Sequence, residues 1–385
     1  MNNYLIELIK KNFIVVCTLT CLLCWEAPSY AFRLRAAVML DIGDVLVTRG
    51  ALKNEDFGFK DTFEVRRARI VAKGKFGGWL YKTRLNLVNL ADNDDSNNSP
   101  TVDRAYIGYA GWKVLEIRFG LQPEPFGLEK STSSKYVTFL ERSLLDSFSP
   151  EDNLGLYSIF HIADPLTIHL GTYVGRPYPK GSKTSKSVTG RISYDLVKQD
   201  RKLVHLGVSY RYQEPLDNKI RYKGRPEAHL SDKLFKSKRL KNVDWIRLTG
   251  VEAAFLRGPV SLQSEYLRSD VTQNAGEEVH VLDGYYVYLS CFITGESRPY
   301  SNNNFGRIRP LNSIGKGGWG AWEVALRYSS IEDDEKQRLT DITYGLNWYL
   351  TKKTRFMLNL VEAQYRSDDE KGKASIGQVR FQHLF

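Results

Sequence analysis

Apolar and polar residues alternate one by one along much of the chain, most clearly in its C-terminal half. Within 321–329, Trp322, Val324, Leu326 and Tyr328 share one face while Glu323, Ala325, Arg327 and Ser329 share the other. Val204, Leu206, Val208 and Tyr210 alternate with His205, Gly207, Ser209 and Arg211, and Tyr344, Leu346, Trp348 and Leu350 with Thr343, Gly345, Asn347 and Tyr349. A period of two describes β-strands with one apolar and one polar face. About sixteen strands are predicted, near 34–46, 62–74, 79–90, 101–111, 114–121, 154–162, 166–174, 188–196, 203–212, 245–256, 260–271, 280–293, 321–330, 340–350, 355–366 and 375–385. Most run about nine to twelve residues, the length a tilted strand needs to cross a bilayer.

The connections alternate in length. Those at 112–113, 163–165, 257–259 and 351–353 are tight, whereas 47–61, 91–100, 122–153, 175–187 and 213–244 are long and polar. Short turns on one side and long loops on the other suit a barrel of the bacterial outer membrane. The connection at 294–320 breaks the rule, being long on the turn side. A soluble antiparallel sandwich would alternate equally. Aromatics at strand ends, an export signal and the final residue favour the membrane. The last strand sets Val379, Phe381, His383 and Phe385 on one face, and its terminal Phe resembles the recognition signal of bacterial outer-membrane barrel proteins. In a soluble domain such a strand would be an edge liability; in a closed barrel it pairs with the first strand. The expected fold is all-β: a transmembrane antiparallel β-barrel of about sixteen strands, porin type, wide enough for an aqueous channel.

Lys10 and Lys11 precede a short apolar run at 13–25, and Ser29, Tyr30 and Ala31 follow. This is the pattern of a secretory signal. At thirteen residues the run is too short to span as a helix. A cut after Ala31 divides the chain into a cleaved signal, 1–31, and one barrel domain, 32–385. Cys17, Cys21 and Cys24 leave with the signal, and Leu23 argues against lipid modification at Cys24. Cys291 then remains alone, so no intrachain disulfide is expected. The expected destination is the outer membrane of a bacterial cell.

Composition adds that aromatics reach 12% against 3 Met, a bias toward strands. Lys and Arg number 55 against 44 Asp and Glu, a net charge of +11. Basic exported proteins meet anionic lipid, nucleic acid or small anions, and the placement of charge decides. The segment 219–241 holds nine cations against Glu227 and Asp232. Within it Lys219, Arg221, Lys223 and Arg225 would project along one side of an extended stretch, a ladder that passes an anion from site to site. The 233–241 cluster reads instead as a solvated loop facing lipopolysaccharide. Lys130, Ser133, Ser134 and Lys135 set two hydroxyls between two ammoniums, donors suited to a tetrahedral oxyanion. A short motif of that kind also occurs in ordinary surface loops.

Here the chain resembles the phosphate-selective porin family, the O/P type. The matching segments are 126–144, 65–68, 204–207, 263–268, 292–296, 320–323 and 345–349, spread in order over nearly the whole mature chain; 126–144 is the most specific. The resemblance implies a trimer of sixteen-stranded barrels, narrowed by inward-folded loops and lined by an arginine ladder. It also implies that Lys130, Ser133, Ser134 and Lys135 form a phosphate-site loop, with Arg66, Arg67 and Arg142 as surrounding guanidiniums and Asp103 as the carboxylate. Arg66 and Arg67 are adjacent, so both reach the lumen only across a bulge. Ala37 stands at the position of a family pore arginine, and Arg69 and Pro123 at those of pore tyrosines, which leaves orthophosphate or polyphosphate preference open.

The expected function is passive uptake of phosphate or polyphosphate through an anion-selective outer-membrane channel; the alternative is a general, unselective diffusion porin. Expected partners are those anions, membrane lipid and lipopolysaccharide, and two further copies of the chain, with no nucleic acid. No enzyme is expected: the histidines at 161, 169, 205, 229, 280 and 383 are scattered and none joins a nucleophile motif. No cofactor or metal motif is present.

Overall fold

The computed structural model describes residues 39–52, 55–56, 62–87, 101–176, 185–276, 278–368 and 370–384. The export signal and its cut, Ala37 and Phe385 lie outside them. The alternating segments form sixteen long strands among the described residues: β1 (Met39–Leu52), β2 (Thr62–Phe76), β3 (Trp79–Asn86), β4 (Thr101–Tyr109), β5 (Leu115–Pro123), β6 (Asp152–His161), β7 (Leu166–Val174), β8 (Ser185–Gln199), β9 (Lys202–Pro215), β10 (Val243–Arg257), β11 (Val260–Gln273), β12 (Glu278–Phe292), β13 (Ala321–Asp333), β14 (Arg338–Tyr349), β15 (Thr354–Arg366) and β16 (Lys371–Leu384). Each pairs antiparallel with the next, and β1 pairs with both β2 and β16, in register from Met39↔Leu384 to Leu52↔Gly372. The sheet therefore closes. Closure leaves no edge and pairs the backbone groups that hydrocarbon cannot solvate.

Every predicted strand is found, but several run past their alternating core. The 188–196 segment extends to Ser185–Gln199 and 375–385 begins at Lys371. Ladder hydrogen bonds carry these strands beyond the amphipathic stretch. The first strand was expected at 34–46 and reaches Leu52, past a register shift between Val47 and Gly50 that hides its period.

The outward faces carry exposed apolar residues such as Leu206, Val208, Leu262 and Leu358. At the turn end an aromatic run crosses four strands: Trp322–Trp348, Trp348–Phe356 and Phe356–Phe381, with centroids 5.1, 5.9 and 4.9 Å apart. Such rings suit the membrane–water boundary.

The core lies inside the barrel, where three insertions pack on its inner face. The loop after β5 buries Phe126, Phe139, Leu144 and Phe148 against Leu248, Leu267, Tyr286 and Ile331 of β10–β13. The loop after β9 sets Ala228 on Val361, Ala363, Ala374 and Ile376. The long turn-side connection after β12 also folds inward: Phe305 packs with Leu128, Leu203, Ala254 and Leu256, and the Tyr300 hydroxyl donates to Asp195 Oδ1 at 2.8 Å. Its exceptional length is explained by that return into the lumen.

Candidate anion filter

The loop after β5 is two-sided. Gly127 adopts φ +65°, and a Cβ there would lie 2.5 Å from Glu265 Oε2, so only glycine makes this turn without strain. The turn opens the short helix α1 (Leu128–Ser131), whose first amides, Leu128 and Glu129, donate to the Glu265 carboxylate at 3.1 and 2.6 Å. Arg142 donates to the Glu129 and Thr132 carbonyls at 3.2 and 3.0 Å. The Glu129 carboxylate accepts from Ser143 N and Oγ at 3.1 and 2.7 Å; burial pushes its pKa up, with Arg327 the leading opposing influence. With its apolar side on β10–β13, the loop turns the 130–135 stretch toward β2–β4.

Two bulges load that facing wall with charge. The β1–β2 register runs from Asp41↔Arg67 to Ile42↔Val65 and skips Arg66. Arg66 and Arg67 therefore share the inward side, where Arg66 donates to the two Glu141 oxygens at 2.9 and 3.0 Å. Burial pushes Glu141 up, but Arg66 and then Arg380 hold its carboxyl well below the usual range. The β3–β4 register runs from Arg84↔Arg104 to Leu85↔Val102 and skips Asp103. Asp103 pairs with Arg69 at 3.1 Å and Arg84 at 3.2 Å, while Arg104 pairs with Asp152. An extra residue in one strand re-aims its side chain, which is how neighbours come to face one lumen.

Between loop and wall lies a group of cations. Lys82 faces the charges of Arg104, Arg84, Lys135 and Lys73, and no hydrogen bond or ion pair ties its ammonium among the described residues. Burial lowers the Lys135 pKa, as do Arg307 and Lys73, against the effect of Tyr136. Ser134 Oγ accepts from Arg69 at 3.4 Å. Lys73, Lys82, Lys135, Arg69, Arg84 and Arg104 thus meet two carboxylates, Asp103 and Asp152, in one region. Beyond it, Lys135, Arg307, Lys352 and Lys353 line a cleft at the turn end.

The expected site residues separate into three groups. Ser134, Lys135 and Asp103 stand at this cluster. Lys130 and Arg142 belong to the same loop but are engaged within it, Lys130 Nζ with Asp146 at 2.7 Å; Arg66 holds Glu141 and Arg67 lies beside it. Ser133 opens the turn that faces the wall, its carbonyl accepting from Tyr136 N at 2.8 Å. Arg221, Lys223 and Arg225 lie in the loop after β9, where Arg221 donates to the Ser237 carbonyl at 2.9 Å and Arg225 to that of His229. Their described hydrogen bonds and ion pairs do not join them to β2–β4. Sequence reasoning missed Lys73, Lys82, Arg84 and Arg104. Lys82 and Arg84 were recoverable, since they share one face of β3 with Leu80 and Asn86.

A closed sixteen-stranded barrel with loops folded into a cation-lined lumen is a porin, an outer-membrane channel and not an enzyme. The model for phosphate-selective porin O and P matches residues 33–385, and the chain belongs to that family. Porin O of Pseudomonas aeruginosa is 26% identical over 372 residues, covering 84% of this chain and 82% of that one. Among solved structures, the anion-selective porin of Comamonas acidovorans superposes with a TM-score of 0.58 at 13% identity, covering 92% of this chain and 99% of that one. The channel DcaP of Acinetobacter baumannii gives 0.55 at 10%, covering 92% and 96%. Among the described residues the gap holds more cations than carboxylates, a balance that favours anions in a pore.

Proposed function

We propose that the protein admits phosphate or polyphosphate passively across the outer membrane, after export on the signal at 1–31 and assembly as a trimer. The observation that carries this is Lys82, a cation set among Arg104, Arg84, Lys135 and Lys73 that forms no hydrogen bond or ion pair with an acid among the described residues. An anion entering the gap meets those ammoniums together with the hydroxyls of Ser133 and Ser134. An oxyanion with several acceptors gains more from charge-assisted bonds there than chloride does. Arg69 and Arg84 already share Asp103. That weakens their hold on a passing anion, and a filter must bind well enough to strip water yet release. Lys130, Arg142, Arg66 and Arg67 shape the loop and add positive potential. Arg221, Lys223 and Arg225 would serve as a ladder at the mouth, with Lys223 the exposed member.

Planar-bilayer conductance tests the reading. In chloride, added phosphate should block current at concentrations far below the chloride itself, and Lys82→Glu should abolish the block while leaving the barrel assembled. Block of parent and variant alike would place the site elsewhere. Absence of block in both would make the protein a general porin.

A further inference from the structure

Outside the pore, the lipid-facing wall of β8–β11 carries two features that the channel does not use. The first is a pair of cations at the turn end. Lys202 and Arg257 stand directly opposite each other in the β9–β10 register. Lys202 shares the outward side of β9 with Leu206, Val208 and Tyr210, and Arg257 that of β10 with Val251 and Phe255. Like charges directly opposite on a sheet destabilise it. Neither is hydrogen-bonded or ion-paired among the described residues. Their basic neighbours are otherwise engaged: Lys198 pairs with Asp195 at 3.1 Å, and Arg201 donates to the Gly295 carbonyl at 2.6 Å. Asp200, in the adjoining turn, forms no described ion pair with them.

The second feature is a groove of about 470 Å³ a few residues further along the same strands. Ala253 and Ser264 are register partners there, beside Leu206, Val251, Tyr194 and Tyr266. Two small side chains among large ones make a dent in an otherwise apolar wall. Leu206 lies four residues from Lys202, roughly 14 Å along the strand, which is within reach of an alkyl chain whose headgroup sits at the cation pair.

We propose that this face holds one anionic phospholipid of the inner leaflet, its phosphate between Lys202 and Arg257 and one acyl chain in the groove over Ala253 and Ser264. The turn end faces the periplasm in a barrel of this kind, so the leaflet it meets is phospholipid. Charge complementarity selects an anionic headgroup: a zwitterion would leave the cation pair uncompensated.

The test is native mass spectrometry of the purified porin in neutral detergent, titrated with phosphatidylglycerol or with phosphatidylcholine of the same chains. One phosphatidylglycerol per chain should be retained, about tenfold or more over phosphatidylcholine. The double variant Lys202→Gln with Arg257→Gln should fall to the phosphatidylcholine level. Ala253→Phe, or Ala253→Leu if the larger ring hinders assembly, should lower retention of phosphatidylglycerol. Chloride conductance should be unchanged throughout, since none of these residues lines the pore. Equal retention of the two lipids, or full retention by the double variant, overturns the proposal. So does unaltered retention by the groove-filling variants, or a loss of oligomers in them, which would make the groove a contact between copies.

Discussion

The wall formed by β3–β7 and the wall formed by β8–β16 are built from strands of different length, and their inner faces differ accordingly. Strands β3–β7 have 8, 9, 9, 10 and 9 residues, whereas β8–β16 have 12 to 15. Nine tilted residues rise about 23 Å, barely the roughly 25 Å apolar band of an outer membrane. The longer strands offer extra inner surface, and the insertions pack upon it. Arginine meets two fates as a result. On the long wall Arg327 is 1% exposed, with Nε donating to Glu227 at 2.9 Å and Nη1 to Glu129 at 3.2 Å, and Arg191 donates to Glu252 at 3.0 Å. Each is matched by acids and serves as an anchor. At the short wall, Arg84 of β3 shares Asp103 with Arg69 of the adjoining β2 and also meets Asp152 at 3.4 Å, and Lys82 has no hydrogen bond or ion pair among the described residues. The inward-facing cations hold the fold together on one side and face the permeating ion on the other.

The strongest way to break this contrast is at an anchor. Arg327→Met leaves Glu227 and Glu129 buried without their guanidinium and should cost about 3–5 kcal/mol. The readouts are a lower midpoint in the heat-dependent gel shift and protease cleavage within 216–242; an unchanged midpoint would deny that the long wall depends on buried pairs. Next comes Glu141, where the loop after β5 meets Arg66 of β2 and Arg380 of β16. Its carboxyl is held low in the folded protein, so its contribution is present above the unfolded value of about 4.3 and is lost as pH falls through the folded value. Glu141→Gln should cost about 2 kcal/mol at neutral pH and flatten the acid limb of a stability–pH curve. A curve parallel to the parent's would exclude the pairing.

On the short wall the expected effect moves from stability to transport. Lys82→Gln should weaken phosphate block about tenfold, or ~1.4 kcal/mol. Its unfolding midpoint should change by less than about 0.5 kcal/mol. A destabilised barrel with normal block would reverse the assignment of the two walls. The smallest effect is expected at the mouth: Lys223→Gln should lower anion conductance less than about twofold in dilute salt and hardly at all near 1 M, where screening is nearly complete. A larger, salt-independent loss would move the 219–225 run into the narrow pore.

Much of the fold was legible because each strand's period of two reports where lipid lies. Leu206, Val208 and Tyr210 are exposed outward and His205 and Ser209 buried inward, as their alternation requires. The adjacency of Arg66 and Arg67 implied a bulge, and the β1–β2 register has it. The bulge at Asp103 was not foreseen, because one skipped residue among Val102, Asp103 and Arg104 leaves no compositional trace. Nor could the chain order reveal which cations are spent. Arg142 grips carbonyls of its own loop and Lys130 grips Asp146, whereas Lys82 on β3 forms no hydrogen bond or ion pair among the described residues.

The sequence by itself therefore determined the barrel, the number of its strands and the lipid-facing residues. These follow from local periodicity and from the need to pair every backbone group in hydrocarbon. Only the tertiary structure decided which charges cancel. Glu227 lies 100 residues from Arg327 and Glu141 lies 75 from Arg66. Neutralisation depends on separations of a few ångströms, and it was the packing of the insertions on the long wall that set them.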